Sequence, residues 1–185
     1  MSASANGAVS RRRWLMGGVG LAAAAGGAWL AWQQMQGATS NDAAIEAFWG
    51  LELTQADGQV LALSSLKGRP LLVNFWATWC PPCVRELPLI NDFTQAQAAH
   101  GAHGIQVLGI AVDQAAAVSK WLARQPLSFT VALAGAGGVT LTRSLGNIQG
   151  GLPFTILFDA QGQVQQRKIG ELSAQDLQHW AASAA

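Results

Sequence analysis

The chain has 185 residues, eleven Lys and Arg against ten Asp and Glu, and a formal charge of +1 at pH 7. Three of the basic residues are consecutive at Arg11, Arg12 and Arg13, so the remainder is slightly acidic and offers no basic face for nucleic acid. The two cysteines supply only half of a four-ligand zinc site, and the three histidines do not obviously complete it.

Behind the arginines, Trp14 to Trp32 is a run of nineteen residues made only of Ala, Gly, Val, Leu, Met and Trp. At about 1.5 Å per helical residue it is just long enough to cross a hydrocarbon core of roughly 30 Å. The arginines should stay on the cytoplasmic side, which places everything after the run outside, and the terminal tryptophans suit the membrane interfaces. Two readings compete. The segment Ser10-Arg11-Arg12-Arg13-Trp14-Leu15-Met16 resembles a twin-arginine export signal, which would be cleaved. The alternative is an uncleaved anchor. It is favoured because the run is long and the stretch to Ala38 offers only poor small-x-small cleavage sites. The expected organisation is a signal or membrane anchor at 1–32, a linker at 33–47 and one domain at 48–185, about 140 residues, enough for a core of its own.

Within that domain, Leu51 to Thr54, a turn at Asp57-Gly58 and Val60 to Leu63 read as a hairpin. Leu71-Leu72-Val73-Asn74-Phe75-Trp76 is almost wholly apolar, as a strand covered on both faces should be. A helix is predicted from Pro81 to about Ala99, with Cys83, Leu87, Ile90 and Thr94 along one stripe and a kink at Pro88. Ile105 to Val112 reads as a second buried strand, Ala115 to Arg124 as a helix, Phe129 to Leu133 as a short strand and Val139 to Leu145 as a helix. Phe154 to Phe158 and Val164 to Ile169 form a hairpin around Gln161-Gly162. A closing helix starts with Ser173 as its N-cap. Strands alternating with helices, then a terminal hairpin and helix, imply an α/β fold with a central mixed sheet covered on both faces.

The only two cysteines stand in Trp79-Cys80-Pro81-Pro82-Cys83, between the first buried strand and the first long helix. Residues three apart in a first helical turn lie about 5–6 Å apart, the separation that a disulfide needs. Pro81 and Pro82 fit that turn, where their missing N–H groups would have no partner. Cys80 then sits at the helix N-terminus, where free N–H groups and the helix dipole favour its thiolate. This makes Cys80 the attacking nucleophile and Cys83, one turn deeper, the resolving thiol of a redox-active disulfide. A purely structural bridge across so short a loop would remove little chain entropy, and a zinc site would lack two ligands.

Val73-Asn74-Phe75-Trp76-Ala77-Thr78-Trp79-Cys80-Pro81-Pro82-Cys83, with Arg85-Glu86-Leu87-Pro88, resembles the active-site segment of the thioredoxin-like proteins of the TlpA/ResA/CcmG group. Gly151-Leu152-Pro153-Phe154-Thr155 and the following strand resemble that group's second signature. The resemblance runs from about Phe48 to the C-terminus. It implies a thioredoxin fold with an N-terminal hairpin extension and a central helical insertion, here Ala115 to Arg124. It implies Cys80 and Cys83 as the redox pair, Pro153 as a cis-proline facing the nucleophile, and Glu86 as the acidic residue near the pair. Where ordinary thioredoxin has a buried aspartate this chain has Asn74, which cannot ionise near neutral pH. Glu86 becomes the candidate base, three residues after Cys83 and beside the buried stripe of Leu87 and Ile90, so that desolvation should raise its pKa. Trp79, expected to be exposed, and Leu152 are the candidates for partner contact. A peroxiredoxin fits less well, since its characteristic threonine position is Ala77 here.

The resemblance implies a protein-disulfide oxidoreductase, more reductant than oxidant, with no cofactor beyond its own sulfurs; the arginine-headed apolar run makes it extracytoplasmic under either reading of that segment. Implied clients are disulfide-containing proteins such as apocytochrome c, with electrons drawn from a membrane thiol donor. A different class is a copper metallochaperone using the same two thiolates. Its weakness is the lack of a further Met, His or Cys cluster, since His100 and His103 read as solvated loop residues. Asp113, at a strand end, reads as a helix N-cap.

Overall fold

The computed structural model describes residues 42–184. The expected anchor or signal at 14–32 lies outside them, as does the expected linker up to residue 41. Among the described residues no helix is long and apolar enough to cross a membrane.

The elements, in order, are α1 (42–49), β1 (Glu52–Gln55), β2 (Val60–Ala62), β3 (Leu71–Trp76), α2 (Pro81–Ala98), β4 (Gln106–Ala111), α3 (Ala115–Leu122), β5 (Thr130–Leu133), α4 (Gly138–Ser144), β6 (Phe154–Phe158), β7 (Val164–Ile169) and α5 (Ala174–Ser183). The strands make one seven-stranded mixed sheet in the order β2-β1-β5-β4-β3-β6-β7. β3, β4 and β5 run parallel, while β6, β7 and the N-terminal hairpin pair antiparallel.

All six residues of β3 are buried because the strand lies between β4 and β6 and is covered on both sides. Its period-two alternation sorts the core. Leu72 and Trp76 face Cys83, Leu87 and Ile90 of α2, Val118 and Trp121 of α3, and Leu177 and Trp180 of α5. Leu71, Val73 and Phe75 face the opposite cluster of Ile45, Phe48, Trp49, Leu145 and Phe158. α2 continues through Pro88 as one helix and buries Cys83, Glu86, Leu87 and Ile90, spaced at helical intervals along one side.

Two expectations need correction. The folded domain begins before residue 48, and the last part of the expected linker is helical. In α1, Ile45, Phe48 and Trp49 are buried, Phe48 stacks on Phe158 with ring centroids 5.1 Å apart, and Trp49 Nε1 donates to the Gly162 carbonyl at 2.8 Å. Phe48→Ala is expected to cost about 3–5 kcal/mol, the range for emptying a buried aromatic site. Chemical denaturation of the folded domain checks it, and a loss below about 1 kcal/mol would show that α1 is a passive extension. The second correction is at Asp113. The N-cap of α3 is Gln114, and Asp113 is used elsewhere.

Candidate active site

The disulfide loop is fastened at both ends. On entry, the Thr78 N–H and hydroxyl both donate to Asp113 Oδ2, at 2.9 and 2.6 Å, which ties the segment leaving β3 to the end of β4. Asp113 Oδ1 accepts from Gln114 N–H at 2.7 Å. Partial burial pushes this carboxyl up, but the hydrogen bonds from Thr78 and Gln114 outweigh it and hold Asp113 below the ordinary carboxylate range. On exit, Cys80 is the N-cap of α2, Pro81 and Pro82 fill its first positions, and Cys83 N–H points at Cys80 Sγ at 3.3 Å.

Cys80 and Cys83 are joined, with their Cα atoms 5.3 Å apart. Cys83 is completely buried, whereas Cys80 keeps 4% of its surface. Of the two residues, only Cys80 therefore retains any contact with solvent. Trp79, immediately before it, is 64% exposed and lines an open recess of about 480 Å³ with Val112, Asp113, Gln114 and Val139.

A second segment, leading into β6, runs beside the end of β3. The Leu152–Pro153 peptide is cis, Pro153 is buried, and Leu152 packs against both core clusters. Phe154 pairs with Phe75, so Pro153 falls beside the end of β3 from which the cysteine loop springs. The segment before it is shaped by Asn147, whose amide donates to the Gly151 carbonyl at 2.7 Å. Gly170 N–H holds the Pro153 carbonyl at 2.9 Å. Ile148 and Ile169 stand exposed on these two stretches, at 83% and 58%. Neither belongs to a sequence motif; exposure alone marks them.

Glu86 lies on the same buried stripe as Cys83, only 1% exposed, which is deeper than the partial burial expected. Its Oε1 accepts from Asn74 Nδ2 at 2.8 Å and its Oε2 from Leu172 N–H at 2.6 Å. Burial is the largest influence on this carboxyl and raises it from 4.5 to about 7. The bonds from Leu172 and Asn74 oppose the rise, nearby Glu171 adds to it and Lys168 lowers it. Asn74 also donates to Thr155 Oγ1 at 2.9 Å. Sequence reasoning missed Thr155 and Leu172; the signal available was a lone amide inside an apolar strand, which must find partners.

His100 and His103 are exposed around the turn after α2, at the end of that helix remote from the cysteines. Among the described residues no group of three or more His, Cys, Asp or Glu is placed to hold a metal ion.

A strand, a proline-headed helix with a buried disulfide and an opposing cis-proline together make a thiol-exchange site. The family model described as Redoxin matches residues 35–180. The chain belongs to the Redoxin family. Within that family it sides with the TlpA/ResA/CcmG-like proteins and is a protein thiol–disulfide oxidoreductase of the thioredoxin fold. It is 30% identical over 127 residues to a thiol-disulfide oxidoreductase ResA of Bacillus cereus, covering 68% of this chain and 69% of that protein. It is 31% identical over 129 residues to the thiol:disulfide interchange protein DsbE of Vibrio cholerae, covering 69% of this chain and 65% of that one. Among solved Redoxin-like structures, a putative DsbE from Chlorobium tepidum aligns with a TM-score of 0.61 and 31% identity over 72% of this chain and 92% of its own.

Proposed function

We propose that this protein is an extracytoplasmic reductant of client disulfides, with Cys80 as nucleophile, Cys83 as resolving thiol and Glu86 as the proton acceptor of the resolving step. The observation that carries the reading is the depth ordering of the three groups. Cys80 keeps a sliver of surface at a helix N-terminus, while Cys83 and Glu86 lie behind it in the core.

In the reduced protein the Cys80 thiolate attacks one sulfur of a client disulfide. That S–S bond breaks, a mixed disulfide with Cys80 forms, and the other client sulfur departs as thiolate. Cys83 passes its proton to the Glu86 carboxylate, and its thiolate attacks Cys80 Sγ. The second client sulfur leaves and takes up a proton. The client gains two electrons, and Cys80–Cys83 is left oxidised until a thiol donor reduces it. Trp79 and Leu152, with the cis Pro153 between the two loops, form the surface on which the client lies. Apocytochrome c cysteines are a fitting client, and a membrane thiol carrier a fitting electron donor.

The direction of transfer rests on the Pro-Pro dipeptide, which lacks the histidine found between the cysteines of strongly oxidising relatives. Equilibration with glutathione and thioredoxin buffers is expected to place the potential below that of the glutathione couple. A value near that of strong oxidants, about −120 mV, would reverse the assignment. The location rests on the arginine-headed apolar run at 14–32. The full-length protein should stay with carbonate-washed membranes, and a soluble form whose N-terminus lies near Thr39 would replace the anchor with a cleaved signal.

A further inference from the structure

Asn74 is completely buried in the middle of β3, among Leu, Val, Phe and Trp. Its amide nitrogen has two hydrogens, directed at Glu86 Oε1 and Thr155 Oγ1. Its amide oxygen Oδ1 is buried and has no hydrogen-bond partner among the described residues. Side chains normally avoid such an orphaned acceptor, because its lost hydration is not replaced.

The pairing of Glu86 shows what the spare oxygen is for. Both carboxylate oxygens face N–H donors, Oε1 the Asn74 amide and Oε2 the Leu172 backbone. That arrangement suits the ionised form alone. A neutral carboxyl has to aim its O–H at an acceptor. The Leu172 N–H is backbone and cannot reverse. The Asn74 amide can: a half-turn about its terminal torsion brings Oδ1 to the place that Nδ2 occupied. Oε1–H then donates to Oδ1, and the Thr155 hydroxyl, an acceptor in the first state, becomes a donor in the second.

We infer that Asn74 is a positioning residue for Glu86, rotating its side-chain amide as the carboxyl gains or loses a proton, with Thr155 following by turning its hydroxyl. One end of the amide lacks a partner in either orientation, so the orphan is part of a two-state device. Each state of Glu86 has a matched partner, and the proton is exchanged with no backbone movement. The inference deepens the proposed role of Glu86 as acceptor of the Cys83 proton and rests on it for its catalytic consequence. The other charged groups near the carboxyl are Glu171, paired with Arg85 of α2, and Lys168, paired with Asp176 of α5. Neither pair has a hydrogen bond to the Asn74 amide. Cys80 and Cys83 are the remaining titratable groups, and they are silent in the disulfide form.

The test follows Glu86 by its carboxyl carbon and Asn74 by its side-chain amide nitrogen and protons in NMR titrations of the oxidised protein from pH 5 to pH 9. The Asn74 amide signals are expected to shift with the same midpoint as the Glu86 carboxyl. Asn74→Leu, close in volume, removes a donor to the ionised carboxyl and an acceptor from the neutral one, so the two losses offset and the Glu86 midpoint should move by well under about one pH unit. An amide fixed as a donor would serve the ionised form alone, and its loss would raise the midpoint, and the pH profile of mixed-disulfide resolution with it, by about one unit or more. Amide signals that stay constant while Glu86 titrates would overturn the inference, and so would a rise of a full unit or more in Asn74→Leu. If that variant does not fold, the titration of the parent protein decides alone. A Glu86→Gln variant that resolves at the parent rate, beside a titrating Asn74 amide, would remove the catalytic role of Glu86 and leave the amide rotation standing.

Discussion

Cys83→Ala will accumulate a mixed disulfide between Cys80 and its clients, and Cys80→Ala will accumulate none. In the first variant the reachable sulfur is kept and the group that would release the client is gone. In the second, the remaining thiol is one that the fold has completely buried. The N-cap position adds a chemical difference to the steric one. The Cys83 N–H directed at Cys80 Sγ and the start of α2 stabilise negative charge on Cys80, so its thiolate forms and attacks more readily. The contrast between the variants should reach an order of magnitude or more in trapped complex. Non-reducing gels of trapped cells, followed by mass spectrometry of the linked peptides, measure it. Equal trapping by the two variants would end the division of labour assigned to the pair.

Glu86→Gln will stabilise the oxidised protein above pH 8 and change it little at pH 5. The folded-state carboxyl titrates near pH 7, against an ordinary value of 4.5, chiefly because it is buried. Below the ordinary value the acid is neutral in both folded and unfolded chains, and its burial is tolerated. Above pH 7 the folded protein must hold a buried anion, while the unfolded chain holds a solvated one. The contribution of Glu86 is thus fully present in acid and is lost as the pH rises through the folded value. The gap between the two values corresponds to about 3 kcal/mol. Glutamine has the same shape and never ionises, so it escapes that loss. Guanidinium unfolding at pH 5 and at pH 8.5 checks the claim, and a difference between variant and parent that does not depend on pH would refute it. Under the proposed mechanism the same substitution should also slow resolution of the mixed disulfide.

The parts legible in the sequence were those written in local pattern. The uninterrupted apolar run from Leu71 declares a strand covered on both faces, and Cys-Pro-Pro-Cys at its end declares both a helix start and a redox pair. The hairpin around Gln161-Gly162 and the Ser173 cap are local too, the latter completed in the fold by Asp176 as a capping box. α1 escaped because its flanks are small and polar, and its apolar signal is only Ile45, Phe48 and Trp49 spaced for one helical face. Asp113 was given the commonest use of an aspartate at a strand end. Its actual partner, Thr78, lies 35 residues away in sequence, and no spacing rule connects them. The surroundings of Glu86 were illegible for the same reason. Its own helix announces that it adjoins the buried stripe, but Asn74, Thr155 and Leu172 meet it only because β3 pairs with β6 and the chain returns after β7.

That return also orders events in time. Leu172 N–H reaches Glu86 from 86 residues further along the chain, and Thr155 is 81 residues beyond Asn74. A polypeptide emerging from its N-terminus therefore presents both cysteines long before it possesses the cis-proline loop, the threonine or the backbone donor that adjust them. Contacts of such span form late, since their loop entropy must be overcome first. A nascent chain carries an untuned dithiol and becomes a tuned exchanger only when the segment from Asn147 to Leu172 has docked. The order of the elements along the chain thus withholds the activity until β6, β7 and the turn into α5 are in place.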